Sequence, residues 1–180
     1  YEDIKEQQEE LKARNRLLQK TYQQEAKKRK AEEQNRLLNL IQSQTTGQLE
    51  LMTHFMEELE VTESKAVYER LLAQMIVIGT YLKRRKNLLL TMNNDSQEGL
   101  TEEDLRQSLA ESCSALKLCQ IRALYYVNVR PLILHDAEIL QCYDYFEWLT
   151  EQLFGKMQTL FFRVVVMEGH LMLSVHIDSE

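Results

Sequence analysis

"RLLNLIQSQTTGQLELMTHFMEEL", Arg36 to Leu59, reads as a helix whose apolar seam is interrupted. Leu38, Ile41, Met52, Phe55 and Leu59 recur at three-four spacing, the period of one helix face. The same stripe passes through Thr45 and Gln48, with Gln42, Ser43, Gln44, Thr46 and Gly47 around them. A polar, glycine-containing patch inside an apolar seam suits a layer that fixes register and oligomeric state where helices pair.

Upstream, the helix pattern continues to the start of the chain. Residues 1 to about 60 hold no Pro and a single Gly, and are dominated by Glu, Gln, Lys, Arg and Leu. Ile4, Leu11, Leu18 and Tyr22 form a heptad-like seam, with Gln8 and Asn15 as its polar members. The seam fades across 25–36 and resumes at Leu38 in a shifted phase, which predicts a stutter or local unwinding in a parallel coiled coil. A helix of this length would reach roughly 80–90 Å and needs a partner along it, most economically a copy of itself. The charge run Lys27, Lys28, Arg29, Lys30 is flanked by Glu25, Glu32 and Glu33 and reads as a solvated face.

Downstream, Thr62 or Ser64 is placed to cap a second helix running to about Met92. Val67, Leu71, Ile78, Tyr81 and Leu88 form one apolar seam, and Tyr68, Leu72, Met75, Leu82 and Leu89 its neighbour. The short connection predicts an antiparallel hairpin. So wide an apolar face suits a four-helix bundle made by two hairpins, hence a homodimer. Its expected interface is Leu38, Ile41, Thr45, Gln48, Met52, Phe55 and Leu59 on the first helix, with Leu71, Met75, Ile78 and Leu82 on the second.

"NNDSQEG" (93–99) is a loop by composition. Thr101 and Asp104 then form a capping-box pattern for a helix to about Cys119. "RALYYVNVR" (122–130) reads as a strand, and after Pro131 a helix capped by Asp136 runs to Gly155. Two β-rich runs around Glu168-Gly169 read as a hairpin. The fold class is therefore mainly α with a small α+β part: coiled coil over 1–36, dimerising hairpin over 37–92, and an α-β-α-β-β layer over 100–180.

Bulk properties narrow the function. The 44% hydrophobic and 28% charged composition belongs to a folded chain, and the net charge of −6 gives no reason to expect nucleic acid. Cys113, Cys119 and Cys142 have no metal spacing and read as small buried residues in a reducing compartment. His135, His170 and His176 have no partner spacing of a metal site either. The longest apolar runs, such as 88–90 and 164–167, are too short to span a bilayer. A chain opening on Tyr1 and stopping just after a strand is expected to be a piece of a longer protein, so a membrane segment would lie outside it.

The order of parts resembles the transmitter region of a bacterial sensor histidine kinase: coiled coil, dimerising hairpin, ATP-binding α/β sandwich. In that family the first hairpin helix carries R-(I/L)-x-x-(I/L)-H-D-x-x-G, whose His accepts phosphate. Here Arg36, Leu37, Ile41 and Gly47 match, while Ser43 stands in place of the His and Gln44 in place of the Asp. Neither can form or activate a phosphoramidate, so the box is degenerate. His54 is the alternative phosphoacceptor; as a plain surface residue it would meet Glu50, Glu57 or Glu58.

"GTYLKRRKNLLL" (79–90) resembles the Y-x-K-R-R-x-N-L signature of Firmicute-type sensor proteins related to histidine kinases. Lys83, Arg84, Arg85 and Lys86 read either as a solvated basic collar near a helix C-terminus or as a docking surface for an acidic partner such as a receiver domain. The family's E-x-x-x-N, whose Asn holds Mg²⁺, aligns with Glu147 and Glu151, and its D-x-G-x-G with Asp178, Ser179 and Glu180. Both motifs are degenerate, so no ATP or Mg²⁺ is expected on this chain. The resemblance implies a non-catalytic signalling module, the cytosolic part of a membrane-anchored sensor. An active kinase fragment and a coiled-coil scaffold with a protein-binding α+β cap are the alternatives.

Overall fold

The computed structural model describes residues 2–92, 99–130 and 133–179, with the backbone alone for 2–6 and 8. Most of the expected 93–99 loop, Pro131, the side chains of Ile4 and Gln8, and Glu180 lie outside the described residues. The chain divides into two units, 1–43 and 44–180.

Among the described residues the protein is mainly helical, with four α-helices and a three-stranded mixed sheet. Helix α1 is Glu2–Val61, 60 residues without interruption. The unwinding expected over 25–36 is absent: the backbone there is α-helical throughout. Within the first unit Leu11, Leu18 and Tyr22 of the expected seam are exposed, as is Leu38.

The second unit owns the core. Ser64 starts α2 (Lys65–Met92), the Val67 N–H donating to its Oγ at 3.5 Å. Thr101 and Asp104 close the expected capping box at the head of α3 (Glu102–Leu116), which tightens into a 3₁₀ turn, Lys117–Cys119. Strand β1 (Arg122–Asn128) stops two residues short of the expected end. Helix α4 (Asp136–Gln152) is capped by His135, not Asp136. The His135 N–H donates to Glu138 Oε2 at 2.8 Å, while Asp136 Oδ1 instead accepts from the Leu100 N–H at 2.7 Å. Gly99, at φ +51°, passes so close to that carboxylate that an added Cβ would sit 2.7 Å from it.

β1 runs parallel to β2 (Thr159–Met167), a pairing that needs a crossover, and α4 supplies it. β2 returns antiparallel into β3 (His170–Asp178) through Glu168 and Gly169, both at positive φ, the geometry of a type I′ turn. The sheet's inner side chains, including Ala123, Val127, Leu160, Phe162 and Val164, are buried. The outer ones follow the two-residue period to Leu124, Tyr126, Phe161 and Met172, all exposed. Phe146 of α4 stands at the centre of the core, edge-on to Phe162 at 5.2 Å and to Tyr81 at 6.1 Å, and stacked with Tyr143 at 6.3 Å.

Candidate functional site

The interrupted stripe on α1 turns inward. Thr45 and Gln48 are buried, and the Gln48 amide Nε2 donates to Glu147 Oε2 at 3.1 Å and to Glu151 Oε1 at 2.8 Å. Glu147 and Glu151 are one helical turn apart on α4, which is why a single amide reaches both. That amide stands between the two carboxylates, where a shared cation would have to sit.

Arg85 of α2 completes the cluster. Its Nη1 donates to the Gln44 carbonyl at 2.7 Å, and its Nη2 pairs with Asp144 Oδ1 at 2.9 Å and with Glu147 Oε2. One guanidinium thus holds the α1 backbone and two α4 acids at once, a use of its planar fork that a lysine cannot reproduce. Next to it, Arg84 pairs with Glu111 of α3, which also meets Lys83 at 3.3 Å.

Hydroxyls flank the cluster. Thr150 Oγ1 donates within α4 to the Phe146 and Glu147 carbonyls, so the Tyr81 O–H, 2.7 Å away, is the donor between them. By the same count the Tyr143 O–H donates to Ser112 Oγ at 2.8 Å, since Ser112 gives its hydrogen to the Ser108 carbonyl. Burial pushes both phenols well above their ordinary range.

Glu147 has no exposed surface. Burial pushes its carboxyl up to about 8 against the opposing pull of Arg85, with the Asp144 and Glu151 charges adding to the rise. Burial also raises Asp144 and Glu151. Two oxygens in this cluster, Glu147 Oε1 and Gln48 Oε1, are buried without a hydrogen-bond partner. The cluster can therefore hold a proton and fix helix positions. It presents no activated nucleophile, and burial pushes Cys113 up to about 12 and Cys119 and Cys142 to about 11, which keeps those thiols protonated at neutral pH.

The remaining sequence-predicted residues are distributed as follows. On the expected dimer seam, Thr45, Gln48, Phe55, Leu71 and Ile78 are buried within the chain itself, Ile41, Met52, Leu59, Met75 and Leu82 are half-buried, and Leu38 is exposed. Ser43 and Gln44 are exposed, Ser43 donating to the Leu40 carbonyl at 2.9 Å. Gly47 has open space where a Cβ would be. His54 is exposed and pairs with Glu58 at 3.2 Å. The basic stretch splits: Lys83 and Lys86 face solvent, whereas the Arg84 and Arg85 side chains are only 10% and 12% exposed. A fully solvated collar is thus excluded, since its two arginines are spent on internal acids. Asp178 ends β3 opposite Thr159, outside the cluster.

Asp144 was missed by sequence reasoning. Its signal was present, an acid three residues before Glu147 and seven before Glu151, lining one helix face. Among the described residues no group of three or more His, Cys, Asp or Glu is placed to hold a metal ion, and no helix is long and apolar enough to cross a membrane. No family model, curated protein or solved structure matches the chain.

Proposed function

We propose that the chain is a signal-relaying dimerisation module of a sensor-histidine-kinase-like protein, without phosphotransfer by this chain. The observation that supports the reading is the Gln48–Arg85–Glu147 clamp, which ties α1 and α2 to α4 through buried polar groups. A turn or slide of α1 at Gln44 and Gln48 must break or remake those contacts, so the position of α1 is felt at the helix that backs the sheet.

The module works as a homodimer. On α2 the exposed Tyr68, Leu72 and Ile76 recur every four residues, and on α1 Leu49 and Met56 are exposed seven apart. Stripes of this kind suit a second hairpin packed as a four-helix bundle, with residues 1–36 as its coiled coil. In this reading the stimulus arrives from a membrane-anchored segment outside the chain, on the cytosolic side, and Lys83 and Lys86 remain for a receiver-domain partner. The apolar outer face of the sheet favours a second reading, a scaffold whose α+β cap binds a protein.

Amide exchange separates the two. Gln48→Leu should lower protection across α4, and light scattering at micromolar concentration should report two copies. A single-copy particle, or α4 protection untouched by Gln48→Leu, would leave the scaffold reading in place.

A further inference from the structure

The clamp contains a pair of orphans that explain each other. Glu147 Oε1 and Gln48 Oε1 are both buried and both lack a donor, while the other arm of each group is already joined, Gln48 Nε2 to Glu147 Oε2 at 3.1 Å. A carboxylate facing a primary amide can make one such bond. A carboxylic acid makes two, because its O–H supplies the donor that the amide oxygen lacks. One proton on Glu147 Oε1 thus satisfies two buried acceptors that otherwise go unpaired, each at a cost of about 1–3 kcal/mol.

We infer that Glu147 is a proton-binding site whose proton latches α1 to α4 through Gln48, and that loss of the proton releases the latch. The inference rests on the relay reading above and names what regulates it.

The surroundings are consistent with one stored proton. From α4, Asp144 and Glu151 face Glu147; from α2, Arg85 and the Tyr81 phenol; from α1, the Gln48 amide. Tyr143 lies on the same side of α4. Three carboxylates are set against the Arg85 guanidinium, which already pairs with Asp144 and Glu147 and also serves the Gln44 carbonyl. Ionising all three in a buried site leaves negative charge in excess, and a proton removes it without displacing any side chain. Burial raises all three acids and Glu147 furthest, to about 8. When the proton leaves, the Glu147–Gln48 pair keeps one bond and gains two facing oxygen acceptors, so the contact weakens where α1 meets α4.

The test follows Glu side-chain carboxyl carbons by NMR in the whole chain from pH 5 to 9, with E147Q as the assigning variant. One Glu signal should remain protonated at pH 7, titrate near 8, and vanish in E147Q. Over the same range, amide exchange of residues 44–52, corrected for its intrinsic pH dependence, should lose protection in the parent chain and stay level in E147Q. A chain that is folded by circular dichroism yet shows every Glu titrating in the ordinary carboxylate range would overturn the proton site. A high titration without any change in α1 protection would overturn the latch. The relay reading fails separately, on Gln48→Leu, so the two failures cannot be confused.

Discussion

Gln48 and Glu147, ninety-nine residues apart, meet at 3.1 Å inside the protein, so the polar interruption of α1 is one half of a contact whose other half is on α4. Removing either partner leaves buried polar groups behind. Gln48→Leu should destabilise the chain by about 1–3 kcal/mol in urea unfolding, despite raising the helix's apolar content. A neutral or stabilising result would mean the carboxylates find other partners.

Arg85 carries the larger share. Arg85→Met keeps the packing of the stem but strips Asp144 and Glu147 of their cation, and should cost about 3–5 kcal/mol. Arg85→Lys should recover only part of this, because a point charge cannot serve the Gln44 carbonyl and two acids together. Equal midpoints for the lysine variant and the parent would contradict the forked geometry.

Stability should depend on pH in a stated direction. The Glu147 carboxyl lies at about 8 in the folded chain against 4.5 for the unperturbed group. In between, the folded state binds a proton that the unfolded state has released, so stability falls as pH rises from about 4.5 to about 8 and levels off above. Glu147→Gln should flatten that slope in thermal melts and raise the melting temperature at pH 8 relative to the parent.

Gly47 offers a test of what surrounds α1. Nothing lies within 4 Å of a Cβ built there, so in a single chain Gly47→Ala should stabilise the helix by about 0.5–1 kcal/mol. A second copy packed closely against this turn would reverse the sign. Comparing melts above and below the dimer's dissociation range reads the difference.

The exposed stripe on α2 gives the oligomer test. Leu72→Asp with Ile76→Asp places two charges where the bundle would close, without touching the buried Leu71, Val77 or Ile78. Light scattering should show the dimer falling to single copies, with helical content of the α+β layer retained. A persistent dimer would place the interface elsewhere.

The sequence made the elements readable where the signal was local. The Glu168-Gly169 turn, the Thr101–Asp104 box and the three-four stripes of α2 and α4 each depend on residues within a few positions of one another. The cap of α4 was misplaced because Asp136 is the better capping type, yet it is drawn to the Leu100 N–H by a chain crossing that no local pattern encodes. The same limit governed the site. Glu147 and Glu151 could be paired from their spacing, and Gln48 and Arg85 each stood out, but nothing along the chain said that these would converge. Arg84 and Arg85 read as surface charges because the acids that bury them, Glu111 and Asp144, are 27 and 59 positions away.

The parallel pairing of β1 with β2 sets a timetable for synthesis. β1 has no neighbour until α4 and then β2 have been made, and Gln48 and Arg85 wait for the same helix. A ribosome that has produced α1, α2 and α3 therefore holds a hairpin whose inner face, from Leu71 to Leu88, still lacks the aromatic cluster that will cover it. Closure comes late and nearly at once, when Phe146 and Phe162 emerge sixteen residues apart. Slow codons or chaperone contacts between those two points would act on the most exposed stage of the molecule's life.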